Sequence, residues 1–124
     1  MTPRPSPGVN WTGCNLQSAV LQHADFRGAD LQRANLGYSD LRGSDLAGAE
    51  LSQATLNAAD LTDADLAGAR MVITGMVYAN LTGANLTGAR FDGFPPQGAI
   101  WSDTICPDGS NSDAHGSTCL HHLG

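Results

Sequence analysis

The sequence predicts an all-β solenoid in which the chain turns a corner every five residues and closes a square coil every twenty. Three observations predict it: a large apolar residue recurs every five positions, a small residue stands two positions before each one, and one glycine recurs every twenty. A helix has about 3.6 residues per turn and a strand alternates every two. Neither regular element would therefore bury the apolar set, and only a chain that bends at each unit buries all of it.

The apolar frame runs through sixteen consecutive units without a slip. The positions that we call large slots are Leu16, Leu21, Phe26, Leu31, Leu36, Leu41, Leu46, Leu51, Leu56, Leu61, Leu66, Met71, Met76, Leu81, Leu86 and Phe91. The small slots, two residues earlier, are Cys14, Ala19, Ala24, Ala29, Ala34, Ser39, Ser44, Ala49, Ala54, Ala59, Ala64, Ala69, Thr74, Ala79, Ala84 and Ala89. We expect both sets to point inward, because a narrow square interior has room for one large and one small side chain per side.

The predicted corners lie between each large slot and the next small slot, in stretches such as LAGA and LTGA. Glycine stands third in these turns, where a type II turn needs a positive φ. One corner has glycine in every coil, at Gly28, Gly48, Gly68 and Gly88. This column exists only if the coil repeats every twenty residues.

The repeat A-(D/N)-L-x-x over residues 14–93 resembles that of the pentapeptide repeat family and covers about two-thirds of the chain. The resemblance implies a right-handed quadrilateral β-helix of about four coils. Residues 1–13 are then an N-terminal extension and cap, and residues 94–124 a C-terminal capping tail. Most members of the family have no established activity, so the resemblance indicates the fold more than the function.

Both ends of the repeat carry residues suited to sealing it. Trp11 stands just before the first predicted coil, and Trp101 keeps the five-residue frame after the last one. We expect Trp101 to be an end plug; the alternative is an aromatic side chain that contacts a ligand. Cys106 and Cys119 flank a turn-rich tail, which predicts a disulfide and favours an oxidising compartment. Cys14 occupies a small slot and is expected to be a buried hydrophobe.

Charge and composition exclude several classes of function. The chain has twelve acidic residues against six basic ones, all arginine, and a net charge of −6. Direct nucleic-acid binding depends on many Lys/Arg–phosphate contacts and is not expected. No apolar stretch reaches the ~18–20 residues of a membrane span. The N-terminus lacks the apolar core of a signal peptide, so we expect a cytoplasmic protein, or an extracellular or periplasmic one if a signal was removed before Met1.

No catalytic motif is apparent, and neither an enzyme activity nor a cofactor is expected. The sequence contains no Gly-rich phosphate loop, nucleophile elbow or clustered acid–base set. Its acids belong to a convex exterior, where nothing desolvates them.

Outward acidic residues form two adjoining columns when the sequence is read in steps of twenty. The first acidic face comprises Asp25, Asp45, Asp65 and Asn85, and the second comprises Asp40, Asp60 and Asn80. These residues either bind a partner or hydrogen-bond to N–H groups of the neighbouring turns. The family resemblance adds a third reading, since some members bind DNA gyrase by resembling duplex DNA and confer quinolone resistance. Arg27 and Arg42 dilute the charge that such mimicry needs.

A second candidate surface lies where the repeat is irregular. The outer apolar patch comprises Val72, Ile73, Val77 and Tyr78, in positions that are polar or small elsewhere. It is either a contact surface or the result of a widened or bulged coil around Met71 and Met76. Tyr38 shares the outward column of Tyr78.

The tail offers two metal-binding hypotheses of low specificity. Asp108, Asn111 and Asp113, with Ser110, supply hard oxygen ligands for calcium in a glycine-containing loop. The two tail cysteines with His115, His121 or His122 match no standard zinc spacing. The sequence thus favours a non-catalytic protein-binding or structural module, monomeric or weakly self-associating, with an unknown protein partner; the alternative is a DNA mimic that binds gyrase or topoisomerase.

Overall fold

The structure, a computed structural model, describes residues 4–93, 96–116, 118–120 and 122–123. One zinc candidate, His121, lies outside the described residues. No helix in the described part of the chain is long and apolar enough to cross a membrane.

The chain is a right-handed β-helix whose coils stack through parallel pairing. Bridges join residues twenty apart, from Asn10↔Asp30 at the N-terminal end to Asn85↔Ile105 at the other. Most sides contribute a single bridge residue before the next turn, because five residues leave no room for a longer ladder. The twenty-residue period predicted from the glycine column is confirmed.

Regular elements are few and short in the described residues. Strand β1 (Arg70–Val72) pairs in parallel with strand β2 (Arg90–Asp92), with Met71 opposite Phe91. A 3₁₀ helix spans Ser112–His115 in the tail. Ile105 pairs with Asn111 in the antiparallel direction, so the tail folds back on the C-terminal end of the coil stack.

Most corners are hydrogen-bonded β-turns. The N–H of a small slot donates to the carbonyl of the preceding large slot, as from Ala49 to Leu46 at 3.0 Å. The glycines of the predicted column have φ between 62° and 70°. The same left-handed conformation occurs at ten non-glycine residues with φ between 50° and 62°: Ser18, His23, Arg33, Tyr38, Gln53, Ala58, Asp63, Ile73, Tyr78 and Asp103. The ladder and the buried slots impose it, at about 1–2 kcal/mol for each non-glycine residue.

Glycine at one of these strained corners is expected to stabilise the protein. We expect Ala58→Gly to raise the free energy of unfolding by up to about 1 kcal/mol, because relief of left-handed strain exceeds the entropy that glycine loses. Ala67→Gly is the matched control, since Ala67 precedes the corner glycine and does not have a positive φ. It should lower stability by about 0.5–1 kcal/mol. Denaturant unfolding of both variants checks this, and a loss of stability in both would contradict it.

The core is a column of large slots along the axis. Twelve of the largest side chains, from Phe26 to Leu81, are fully buried. Leu16 and Leu21 at the N-terminal end, and Phe91 near the other end, are only partly buried. Burial in the same frame extends beyond residues 14–93: Trp11 and Trp101 are also buried, and Trp11 packs edge-on against Phe26 with ring centroids 5.4 Å apart.

Polar residues in the small slots differ in whether their hydroxyl groups are satisfied. Ser39 Oγ donates to the Leu36 carbonyl at 2.6 Å, and Thr74 Oγ1 donates to the Leu51 carbonyl at 2.7 Å. Ser44 is equally buried, and its Oγ has no hydrogen-bond partner among the described residues.

This difference predicts opposite effects of two similar substitutions. We expect Ser44→Ala to raise the free energy of unfolding by about 1 kcal/mol, because it removes an unsatisfied buried hydroxyl group. Ser39→Ala should lower it by about 0.5–1.5 kcal/mol, because it removes a hydrogen bond that is made. Chemical denaturation of both variants checks the pair. Equal effects at the two sites would show that the Ser44 hydroxyl group is satisfied in solution.

Candidate binding surfaces

The first acidic face is partly neutralised by an arginine within it. Arg27 binds Asp25 through two hydrogen bonds, of 2.9 and 2.7 Å, and its Nε lies 3.8 Å from Asp45. The side-chain hydrogen bonds from Arg27 hold the pKa of the Asp25 carboxyl below its ordinary value. One guanidinium group therefore links the carboxylates of two successive coils.

The second acidic face repeats this arrangement on the adjoining side of the coil, fifteen residues later in the chain. Arg42 makes two hydrogen bonds of 2.8 Å to Asp40, and its Nε lies 3.9 Å from Asp60. Gln22 adds a hydrogen bond of 2.6 Å to Asp40. The hydrogen bonds from Arg42 and then Gln22 hold the pKa of Asp40 well below its usual range.

The acidic residues also have a local structural role. The side-chain oxygen of the residue before a large slot accepts a hydrogen bond from the backbone N–H two positions later, as from Ala67 to Asp65 at 3.0 Å. The other members of the two faces that do this are Asp25, Asp40, Asp45, Asp60, Asn80 and Asn85. The predicted hydrogen bonds to turn N–H groups are confirmed, and they account for aspartate and asparagine at these positions without a partner.

The outer apolar patch occupies two adjacent corners of one coil. Tyr78 is 71% exposed, Ile73 50% and Val77 37%, while Val72 is half-buried. Gly75 lies between the two corners and keeps its twenty-residue pairing with Thr55. No residue is inserted in this coil, so a bulge does not explain the exposure.

The patch is held in place by neighbouring coils. The Tyr78 ring lies directly against Gly98, where an added Cβ would be 2.6 Å from the ring. Ile73 lies against Gly93 in the same way, at 3.2 Å. The Val77 N–H donates to Asn57 Oδ1 at 2.9 Å. The exposed side chains thus stand on well-supported backbone.

Sequence reasoning missed other exposed apolar residues. Val20 is 78% exposed and Ile100 50%, at opposite ends of the column that contains the second acidic face. Ile105 and Leu120 are also exposed near the C-terminal end. Val20, Ile100 and Ile105 each precede a position of the inward-pointing five-residue frame. Residues at that place in the repeat point outward, so the frame could have identified them as exposed. Tyr38 is 67% exposed, as its shared column with Tyr78 suggested.

The C-terminal tail is closed by a disulfide between Cys106 and Cys119, both fully buried. The two thiols are therefore not available as zinc ligands while the bond is intact. The third cysteine, Cys14, is buried and unbonded, as its small slot predicted.

The calcium candidates in the tail use their oxygens for hydrogen bonds within the chain. Asp108 Oδ1 accepts from the N–H and hydroxyl groups of Ser110 at 2.9 and 2.5 Å, and Oδ2 lies 2.6 Å from His122 Nδ1. Ser110 first, and then His122, lower the pKa of Asp108 to about 2. Asn111 Oδ1 accepts from the Asp113 N–H at 2.9 Å.

Two further observations bear on chemistry in the described part of the chain. It contains no group of three histidine, cysteine or acidic side chains placed to hold a metal ion. A cavity of about 310 Å³ is lined by Ala89, Arg90, Phe91, Asp92 and Leu123. These five lining residues include no nucleophilic side chain next to a general base.

Comparisons with known proteins agree with the repeat. The family model for pentapeptide repeats matches residues 8–37, 34–72 and 76–93, in eight copies. The pentapeptide repeat protein alr5209 from Nostoc is 43% identical with a TM-score of 0.65, over 66% of this chain and 68% of that one. No curated protein matches the chain.

Two other solved structures are more distant. AT2G44920, a pentapeptide repeat protein of the Arabidopsis thaliana thylakoid lumen, is 28% identical with a TM-score of 0.43, over 90% of this chain and 75% of that one. QnrB1, a plasmid-mediated fluoroquinolone resistance protein, is 21% identical with a TM-score of 0.52, over 76% of this chain and 58% of that one. The likeness to QnrB1 concerns the fold alone.

Proposed function

Because this chain belongs to the pentapeptide repeat family, we propose that it is a non-catalytic module that binds a protein partner through the outer surface of its β-helix. The observation that carries the proposal is the outer apolar patch, where Ile73, Val77 and Tyr78 are exposed on one coil. Clustered exposed apolar side chains mark interaction sites, whereas single ones are ordinary.

The setting of the patch favours binding. Ile73 and Tyr78 lie at turns fixed on both sides by hydrogen bonds to other coils, including Ile73 N–H to the Asp92 carbonyl at 2.6 Å and Tyr78 N–H to the Gln97 carbonyl at 2.9 Å. A partner would therefore lose little affinity to ordering of this surface. An exposed tyrosine also supplies apolar area and a hydroxyl group, a combination enriched in interfaces.

The acidic faces support the alternative, DNA mimicry of the gyrase-binding kind, less well. Five carboxylates over about three coils place one charge per ~3 Å along the stack by the strand spacing. Duplex DNA carries one per ~1.7 Å. Arg27 and Arg42 each bind one of these carboxylates through two hydrogen bonds and lie near another, which lowers the negative potential further.

Site-specific photo-crosslinking tests the proposal. A photoreactive phenylalanine analogue is placed at Ile73, or at Gln53 as the matched control, in cells that produce the protein. Gln53 occupies the same corner one coil earlier, is exposed and has φ 62° against 56° for Ile73. We expect a discrete crosslinked protein from position 73 and none from position 53, with loss of the product when Val77 and Tyr78 are replaced by serine.

Two outcomes would contradict this function. Equal products from both positions would show that the patch is not a specific surface. Inhibition of purified gyrase in a supercoiling assay, with loss of inhibition in Asp45→Asn and Asp60→Asn variants, would transfer the function to the acidic faces.

A further inference from the structure

The chain contains two Asp–Gly pairs, Asp92–Gly93 and Asp108–Gly109, and the fold holds them differently. In such a pair the glycine nitrogen is able to attack the aspartate side-chain carbonyl carbon, because glycine has no side chain to obstruct the approach and is conformationally permissive. The reaction needs an accessible carboxyl group, an amide that is not committed to a hydrogen bond, and room for a five-membered ring. These requirements distinguish the two pairs.

Asp92–Gly93 meets the first two requirements in the described structure. Both residues are exposed: Asp92 is the last residue of β2, and Gly93 follows it directly. At regular corners the third-residue N–H donates to a later coil, as from Gly88 to the Pro107 carbonyl at 2.9 Å. Gly93 has φ 109°, outside the range of the regular corners, and no acceptor for its N–H lies among the residues that the structure describes. Within the same residues, no donor or cation binds the Asp92 side chain.

Asp108–Gly109 does not meet them. The Gly109 N–H donates to the Cys106 carbonyl at 2.8 Å, so its nitrogen is engaged. Both oxygens of Asp108 are engaged as well, by Ser110 and His122. Its lowered pKa further reduces the small protonated fraction of the carboxyl group, which is the more electrophilic form. The disulfide between Cys106 and Cys119 encloses the whole segment.

We propose that Asp92 is a site of spontaneous isomerisation to isoaspartate and that the fold protects Asp108 from the same reaction. The Gly93 nitrogen bonds to Cγ of Asp92, and the carboxyl oxygen leaves as water with the amide proton, which forms a succinimide. One water then opens the ring. Cleavage at the Cγ–N bond restores aspartate, whereas cleavage at the original peptide bond yields isoaspartate with no net change of mass.

The modification would alter the end of β2, which pairs with β1 in the coil that carries the outer apolar patch. Isoaspartate routes the backbone through the side chain and adds one methylene group to it. The Asp92 carbonyl accepts the hydrogen bond from the Ile73 N–H, and Gly93 lies against Ile73. Isomerisation therefore changes the support of Ile73. The isoaspartyl residue that forms is also a substrate for an isoaspartyl carboxyl methyltransferase.

Ageing of the disulfide-intact chain tests the proposal. The protein is held near neutral pH at physiological temperature, and isoaspartate is measured with a purified isoaspartyl carboxyl methyltransferase and labelled S-adenosylmethionine, followed by peptide mapping. We expect isoaspartate at position 92 to exceed that at position 108 by about tenfold, because several hydrogen bonds hold the second pair and each one that must break first lowers a rate by roughly two- to tenfold. In the reduced, denatured chain the two sites should react at similar rates.

Asp92→Glu is the control, because the same attack would need a less favourable six-membered ring. It should remove most of the methyl acceptance of the aged, folded protein. Equal rates at the two sites in the folded chain would overturn the proposal. So would formation of isoaspartate at position 92 only after denaturation, or mainly at another aspartate of the folded protein.

Discussion

Replacing Leu56 with alanine is expected to lower the free energy of unfolding by about 2–5 kcal/mol. Leu56 is fully buried in the middle of the coil stack, with the small slots Ala54 and Ala59 beside it. The cavity cannot collapse easily, because hydrogen bonds to the coils on both sides hold the backbone at strand spacing, including Leu56 N–H to the Gly75 carbonyl at 2.6 Å. The cost should therefore include both the lost burial and the cavity.

Leu16→Ala is the matched control for this experiment. Leu16 lies at the N-terminal end of the column that contains Leu56, forty residues earlier, and is only partly buried. Its truncation should cost clearly less, because less apolar area was buried and no closed cavity forms. Guanidinium unfolding followed by circular dichroism measures both variants. Equal losses would show that the leucine column is not the source of the difference.

Removing the disulfide is expected to have a comparably large effect. Cys106→Ala with Cys119→Ala should lower the free energy of unfolding by about 3 kcal/mol, the value for a loop of about fifteen residues. The two cysteines are thirteen positions apart in the sequence. The enclosed segment pairs with the end of the coil stack, where the Ser112 N–H donates to the Thr104 carbonyl at 2.8 Å.

Reduction of the unmodified protein provides an independent measurement. A reductant should lower its stability to about that of the double variant and should leave the double variant unchanged. Cys14→Ala should have a small effect, since this cysteine is unbonded and occupies a slot that alanine fills elsewhere. If the reductant destabilises both proteins equally, the disulfide is not the stabilising element.

The sequence predicted the parts of this structure that repeat. Leu56 and Ala59 could be assigned to the interior because the five-residue frame excludes both helix and strand. The period of twenty also places Arg27 beside Asp45, one coil on. The left-handed corners at Tyr38 and Ile73 were missed, because the sequence signal for that conformation is glycine and these residues are forced into it by the ladder.

The non-repeating tail was predicted only in part. The disulfide followed from two cysteines around turn-rich sequence, but the contact between Asp108 and His122 had no periodic signal. The exclusion of an inserted residue near Val77 needed the pairing of Gly75 with Thr55. The identity of a partner depends on the partner's own side chains, and the sequence of this chain does not contain them.

The interior of this β-helix repeats every five residues, whereas its outward columns repeat every twenty. Removing five residues, one complete side, would keep every later leucine on the axis while moving all later outward columns by a quarter turn. Removing twenty would shorten the stack by one coil and leave the columns aligned. Length changes in this protein therefore act as rotations of its surface, and only those in multiples of four units preserve an interface that spans several coils.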